Sequence, residues 1–134
     1  MLTSTIFLYA VLGSVILVYV PYMLVAYGRI QIGIDLAAPR AMFDKLPPYA
    51  QRATWAHQNS FESLMVFAPA AIIAYVTGVN SPWAFKAAII YLVARLLYSL
   101  FYILSIPLAR SLMFGIGSAC IFTLYGLSLV AVSS

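Results

Sequence analysis

Arg52, Asn59 and Glu62 stand in the stretch RATWAHQNSFESLMVFAP, which runs from Arg52 into a segment apolar enough to enter a bilayer. A carboxylate and a carboxamide within a membrane helix are costly unless they face a partner or a watery cavity. At ~100° per residue, Arg52, Trp55, Asn59 and Glu62 fall within an arc of roughly 80°, so the polar groups point one way. A second stripe, Tyr91, Arg95, Tyr98 and Tyr102, falls within about 60° on a later apolar run. Arg95 in lipid needs an anion, and Glu62 is the one acidic residue inside any apolar run. Two readings follow. Glu62 and Arg95 form a pair that fixes helix register, or Arg95 and the tyrosines line a polar cleft for an anionic ligand that Glu62 helps to shape. The surplus of polar neighbours (Asn59, Tyr91, Tyr98, Tyr102 and nearby Arg110) favours the cleft.

The elements that must position these groups are set by composition. Of 134 residues, 65 % are hydrophobic and 7 % charged, with a mean hydropathy of +1.03. A soluble domain carries charge at roughly a quarter of its positions, so the solvent of this chain is lipid. Apolar runs at about 5–26, 49–76, 83–106 and 111–132 are each long enough to span a bilayer. The expectation is an all-α membrane protein, a four-transmembrane-helix bundle in a single domain over 1–134. The first run has no basic leader and is longer than a signal-peptide core, which reads as a retained span. Pro21 and Pro69 lie inside runs, where neighbouring helices must cover the freed carbonyls. Ser81 before Pro82 has the form of an N-cap followed by a first-turn proline. There is no internal repeat and no Gly-rich phosphate loop.

The formal charge of +4 is dispersed and flanks the apolar runs, so it marks topology and no nucleic-acid partner is expected. Arg29, Arg40, Lys45, Arg52 and Arg110 belong to the first and third connections, while the other side offers only Lys86. The positive-inside rule then puts both termini outside the cytoplasm. Absence of a transit-like segment is compatible with a bacterial inner membrane, and that location is the expectation. Cys120 is alone and reads as a small hydrophobe. His57 has no cysteine or second histidine near it, so no metal site is expected; it projects roughly opposite Glu62 and is read as an interface contact outside the cleft. Trp55 and Trp83 read as interfacial anchors. Ser111, Gly115 and Ala119 form a small-residue stripe suited to close packing.

The segment Arg52-Ala-Thr-Trp55-Ala56-His57-Gln58-Asn59-Ser-Phe-Glu62 resembles the pattern that opens the second helix in the MAPEG family, membrane-associated proteins of eicosanoid and glutathione metabolism. Arg95, Tyr98 and Tyr102 are similar to that family's third-helix pattern, and Arg110-Ser111 to the pair that opens its fourth helix; Arg29 resembles a further basic site position. The resemblance implies a homotrimer with sites between neighbouring subunits near the cytosolic face. It implies glutathione as cosubstrate, bound by Arg29, Arg52, Asn59, Glu62, Arg95, Tyr98 and Tyr102. Arg110 and Ser111 would be catalytic, stabilising the thiolate, since a nearby cation or hydroxyl donor raises the thiolate fraction at neutral pH. The partners implied are membrane lipids and a lipophilic small-molecule substrate, and the activity implied is that of a glutathione-dependent transferase or peroxidase acting on lipophilic electrophiles or lipid hydroperoxides. Trp55 stands where the family often has arginine, and Gln58 where several catalytic members have a second one. These departures motivate the alternative, a non-catalytic lipid-binding or scaffold protein of the same family.

Overall fold

The computed structural model describes residues 4–134. Four long helices follow one another: α1, Ile6–Gln31; α2, Pro48–Val76; α3, Pro82–Ile103; and α4, Pro107–Ser133. A short 3₁₀ helix, Pro39–Lys45, lies in the connection between α1 and α2. Each long helix is long and apolar enough to cross a membrane, and α3, the shortest at 22 residues, still reaches ~33 Å. The chain is a four-transmembrane-helix bundle.

Local chemistry sets the ends. Proline opens α2, α3 and α4, a position whose missing N–H would be unpaired in any case. The Ser81 hydroxyl caps α3 by accepting from the Trp83 N–H at 3.2 Å, as its sequence context implies. Helix α2 stops at Gly78, whose φ of 71° lets the Val79 N–H reach back to the Ala74 carbonyl. The α3–α4 turn uses the same device with Ser105 at φ 60°, a backbone state that costs a residue with a Cβ about 1–2 kcal/mol.

Packing joins α1 to α2 and α3 to α4 as two antiparallel hairpins, with α3 the most enclosed helix. The buried face of α2 is made of Ala50, Ala53, Ala56, Ser60, Ala70, Ala71 and Ala74 with Phe67, small residues that let helices approach closely. Among the glycines the tightest approach is at Gly28, where a Cβ would lie 2.6 Å from that of Ala50. Larger side chains fill the half remote from the first connection, where Phe7 meets Phe85 and Phe67 stacks on Tyr91 with centroids 3.8 Å apart. The outer faces carry Ile16, Met23, Phe122 and Leu129, all largely exposed, which only lipid makes favourable.

Both in-helix prolines are met by a side chain from another helix. Pro21 leaves the Leu17 carbonyl without its donor, and the neighbouring Val18 carbonyl accepts from His57 Nδ1 at 2.7 Å. Pro69 does the same to Met65, and the adjacent Val66 carbonyl accepts from the Tyr125 hydroxyl at 2.8 Å. In lipid such carbonyls have no water to turn to.

Because the Gly28 contact is backbone against a fixed Ala50 methyl, Gly28→Ala is expected to destabilise the bundle by about 1–3 kcal/mol. Reversible unfolding in mixed micelles measures this, and an unchanged midpoint would contradict the close approach.

Candidate functional site

Arg95 lies on the inner face of α3, 4 % exposed. Its Nη2 donates to Asn59 Oδ1 at 2.9 Å and to Ser60 Oγ at 3.2 Å. Ser60 Oγ also lies 3.4 Å from Ser99 Oγ. The guanidinium sits 4.1 Å above the Tyr98 ring, a cation–π placement that gains strength where water is excluded. Gly117 of α4 closes the far side: a Cβ there would come 3.8 Å from Arg95 Cδ and 3.7 Å from the Tyr91 ring. Neutral hydrogen-bond acceptors and a π face therefore hold the charge. Glu62 does not. Its side chain is exposed on the outer edge of α2, so the register-fixing Glu62–Arg95 pair is absent from the described chain. Arg95 Nε is buried without a hydrogen-bond partner.

From Arg95 a row of rings leads toward the basic end of the bundle. Tyr98 meets Tyr102 edge-on at 5.8 Å and Phe114 of α4 at 6.3 Å. Arg110, in the first turn of α4, stands 4.6 Å from the Tyr102 ring. A cation at a helix N-terminus is opposed by the helix dipole, and the tyrosine face offsets that. Trp55 packs between Phe43 at 5.5 Å and Tyr102 at 6.3 Å, so it belongs to this row as well as to the membrane boundary. Arg52 Nε donates to the Ile103 carbonyl at 2.8 Å, satisfying one of the carbonyls that α3 leaves unpaired at its C-terminus. That bond also holds the first and third connections at one end. Tyr91 turns inward, its hydroxyl 2.7 Å from Ser63 Oγ. Ser111 is exposed beside Arg110.

Two cavities flank this arrangement. The larger, about 660 Å³, lies between α1, the 3₁₀ helix and α2, and is lined by Arg29, Arg40, Thr54, His57, Gln58 and Glu62 together with aromatic and apolar side chains. Arg29 Nε is buried there without a partner. The smaller, about 260 Å³, lies between α2 and α4, with Asn59, Glu62, Ser63, Phe114 and Ser118 in its wall. Glu62 borders both.

Among the sequence-derived residues, the fold thus brings together Asn59, Arg95, Tyr98, Tyr102 and Arg110, with Arg52 at the same end. It places Arg29 on the other flank of α2, joined to this group only through Glu62. His57, read from sequence as outside the cleft, shares a cavity wall with Glu62. The stripe Ser111, Gly115 and Ala119 is exposed, and nothing lies within 4 Å of a Cβ placed on Gly115; the α4 glycine packed inside the chain is Gly117. Sequence reasoning also missed Ser60 and Ser63. A serine in an apolar helix usually bonds its own backbone, so only a helix partner such as Arg95 or Tyr91 gives it away.

A family model described as the MAPEG family matches residues 6–130. The chain belongs to the MAPEG family. It is therefore an integral membrane protein of a family that includes glutathione transferases and peroxidases along with other members. Neither curated proteins nor solved structures give a match. In this MAPEG chain Asn59, with Ser60, answers the Arg95 guanidinium directly.

Removing the Asn59 acceptor leaves a buried cation with one partner fewer. Asn59→Ala is expected to cost about 1.5–3 kcal/mol, the range for a hydrogen bond to a charged group. Glu62→Gln, outside that contact, is expected to stay within about 0.5 kcal/mol. Thermal unfolding of the two purified variants makes the comparison, and the reverse ranking would restore Glu62 as the counter-ion.

Proposed function

We propose that the protein is a membrane-embedded glutathione-dependent transferase or peroxidase acting on lipophilic electrophiles or lipid hydroperoxides. The observation that carries the reading is the ordered pair of cations on one face, Arg95 over Tyr98 and Arg110 over Tyr102, with the Ser111 hydroxyl beside the second. Arg110 and Ser111 favour the thiolate over the thiol, because a fixed cation and a hydroxyl donor stabilise developing negative charge on sulfur. The thiol proton leaves to solvent. In the transferase reaction the thiolate attacks an electrophilic carbon, a C–S bond forms and a leaving group departs. In the peroxidase reaction two thiols reduce one hydroperoxide to an alcohol and water, leaving a disulfide.

Arg29, Arg52, Asn59, Glu62, Arg95, Tyr98 and Tyr102 bind or position the cosubstrate in this reading. Arg29 and Arg52 supply the charges that carboxylates require. The site is completed between neighbouring copies of a homotrimer. Exposed Glu62 within a span, and the open small-residue face of α4, support such a neighbour, since lipid is a poor solvent for a carboxylate. The gathering of Arg29, Arg40, Lys45, Arg52 and Arg110 at one end supports a cytosolic site and both termini outside the cytoplasm, and this reading places the protein in a bacterial inner membrane.

Arg110→Ala is expected to lower the rate of glutathione conjugation to a generic electrophile by about a hundredfold. Equal rates for the purified wild type and variant would remove Arg110 from the chemistry. A second reading, a non-catalytic lipid binder or scaffold, is favoured by Trp55, whose ring fills with Phe43 and Tyr102 the place of a family arginine. Calorimetry with glutathione decides between them: heat of binding at millimolar ligand supports the enzyme, and its absence supports the scaffold.

A further inference from the structure

Arg110 serves the thiolate in the reading above, yet no acceptor holds its side chain. Among the described residues its guanidinium makes no hydrogen bond or ion pair, and it rests 4.6 Å from the Tyr102 ring. The first turn of a helix is the unfavourable end for a cation, so the place of this one depends on where Tyr102 holds its ring. The dependence matters, because a misplacement of about 1 Å at a reacting centre costs on the order of a hundredfold in rate.

Tyr102 is fixed from α2. Trp55 meets it at 6.3 Å with the rings 38° apart, and Trp55 is packed in turn on Phe43 of the 3₁₀ helix at 5.5 Å. Phe43 has a tie of its own, its carbonyl accepting from Gln51 Nε2 at 3.2 Å. One turn before Trp55, on the same face of α2, Arg52 binds the carbonyl of Ile103, the residue after Tyr102. Two successive turns of α2 thus grip two successive residues of α3, one through its ring and one through its backbone. The turn that follows is tight: the Ser105 and Ile106 N–H groups bond back to the Tyr102 and Phe101 carbonyls, and the Arg110 N–H bonds to Ile106. Helix α4 therefore starts from a point that α2 holds.

Trp55 is 42 % exposed, and by position alone it is a membrane anchor. An anchor, however, needs only to lie at the interface, whereas this indole packs on the one ring that carries the Arg110 charge. An arginine in its place would set a second cation beside Tyr102 and repel the first. We propose that Trp55 is a positioning residue for Arg110, its indole holding the Tyr102 ring where that ring receives the guanidinium. This rests on the glutathione reading above and adds to it the residue that keeps the cation in register with the sulfur.

The signature is in the ionisation of the bound thiol. A displaced cation leaves less thiolate at neutral pH, and the deficit closes as rising pH removes the proton. The ultraviolet absorbance of bound thiolate, titrated at saturating glutathione, is expected to rise at a pH about 0.7 higher in Trp55→Ala than in the wild type. That is the fivefold change an aromatic pair is worth. Trp55→Leu, which keeps apolar volume without a ring, is expected to do the same, and Trp55→Phe to titrate as the wild type. In an Arg110→Ala background Trp55→Leu is expected to add nothing. A wild-type titration in Trp55→Leu, or an equal displacement in the Arg110→Ala background, overturns the proposal in favour of a simple anchor. A ligand-free check uses nitrogen-labelled arginine in detergent solution. The Arg110 Nε–H signal, identified by its loss in Arg110→Lys, is expected upfield over the Tyr102 ring, shifted back in Trp55→Leu and unmoved in Trp55→Phe. The same signal in the wild type and Trp55→Leu overturns this inference alone, whatever glutathione does. A wild type that holds no thiolate at any pH overturns the function proposed above and this inference together.

Discussion

A guanidinium enclosed within a membrane-spanning helix, with no carboxylate against it, is the constraint on which the rest of this bundle turns. Removing Arg95 from water is costly, and a single counter-ion returns that cost only with good geometry and further hydrogen bonds. Here the charge is spread over Asn59, Ser60 and the face of Tyr98. Each contact demands a specific approach of helices. The alanine face of α2 brings Asn59 and Ser60 within reach, and Gly117 lets α4 pack against the arginine stem. Small residues and a buried cation are two sides of one arrangement: helices held by dispersion alone would tolerate a slip that the guanidinium contacts do not.

Backbone carbonyls supply the second set of ties. Lipid offers no donors, so every carbonyl released by a proline or left at a helix end must be met from within. Helix α2 takes part in three such ties at or beside those carbonyls: His57 donates to Val18 of α1, next to the carbonyl that Pro21 frees, Arg52 donates to Ile103 at the end of α3, and Val66 of α2, next to the carbonyl that Pro69 frees, accepts from Tyr125 of α4. These bonds join the end near the first connection to the remote end through one helix. They also give the charged Arg52 a structural tie, its Nε meeting the end of α3, while a guanidinium carries further donors beyond that one.

Much of the fold was legible in the sequence because the bilayer permits so few solutions. Four apolar runs, prolines at their starts and basic residues at alternate connections are local patterns, and they dictate four spanning helices. The polar stripe on α3 was legible as well, since Tyr91, Arg95, Tyr98 and Tyr102 recur at a helical period. The partner of Arg95 was harder to read. Charge matching points to Glu62, but the residue one helical turn earlier, Asn59, is the one aimed at α3, and Ser60 beside it carries no sequence signal of its own.

The sequence by itself determined the class of solvent, the number of spans and which residues needed an explanation, because hydropathy and helical period are properties of single segments. Only the tertiary structure decided which side of α2 each polar group serves. That choice depends on how α1 and α3 are rotated against α2, a quantity set by the Gly28–Ala50 approach and the Arg95 contacts together. It separated Glu62 from Arg95, placed Arg29 with Glu62 on one cavity, and brought His57, read from sequence as an interface contact outside the cleft, to that same wall.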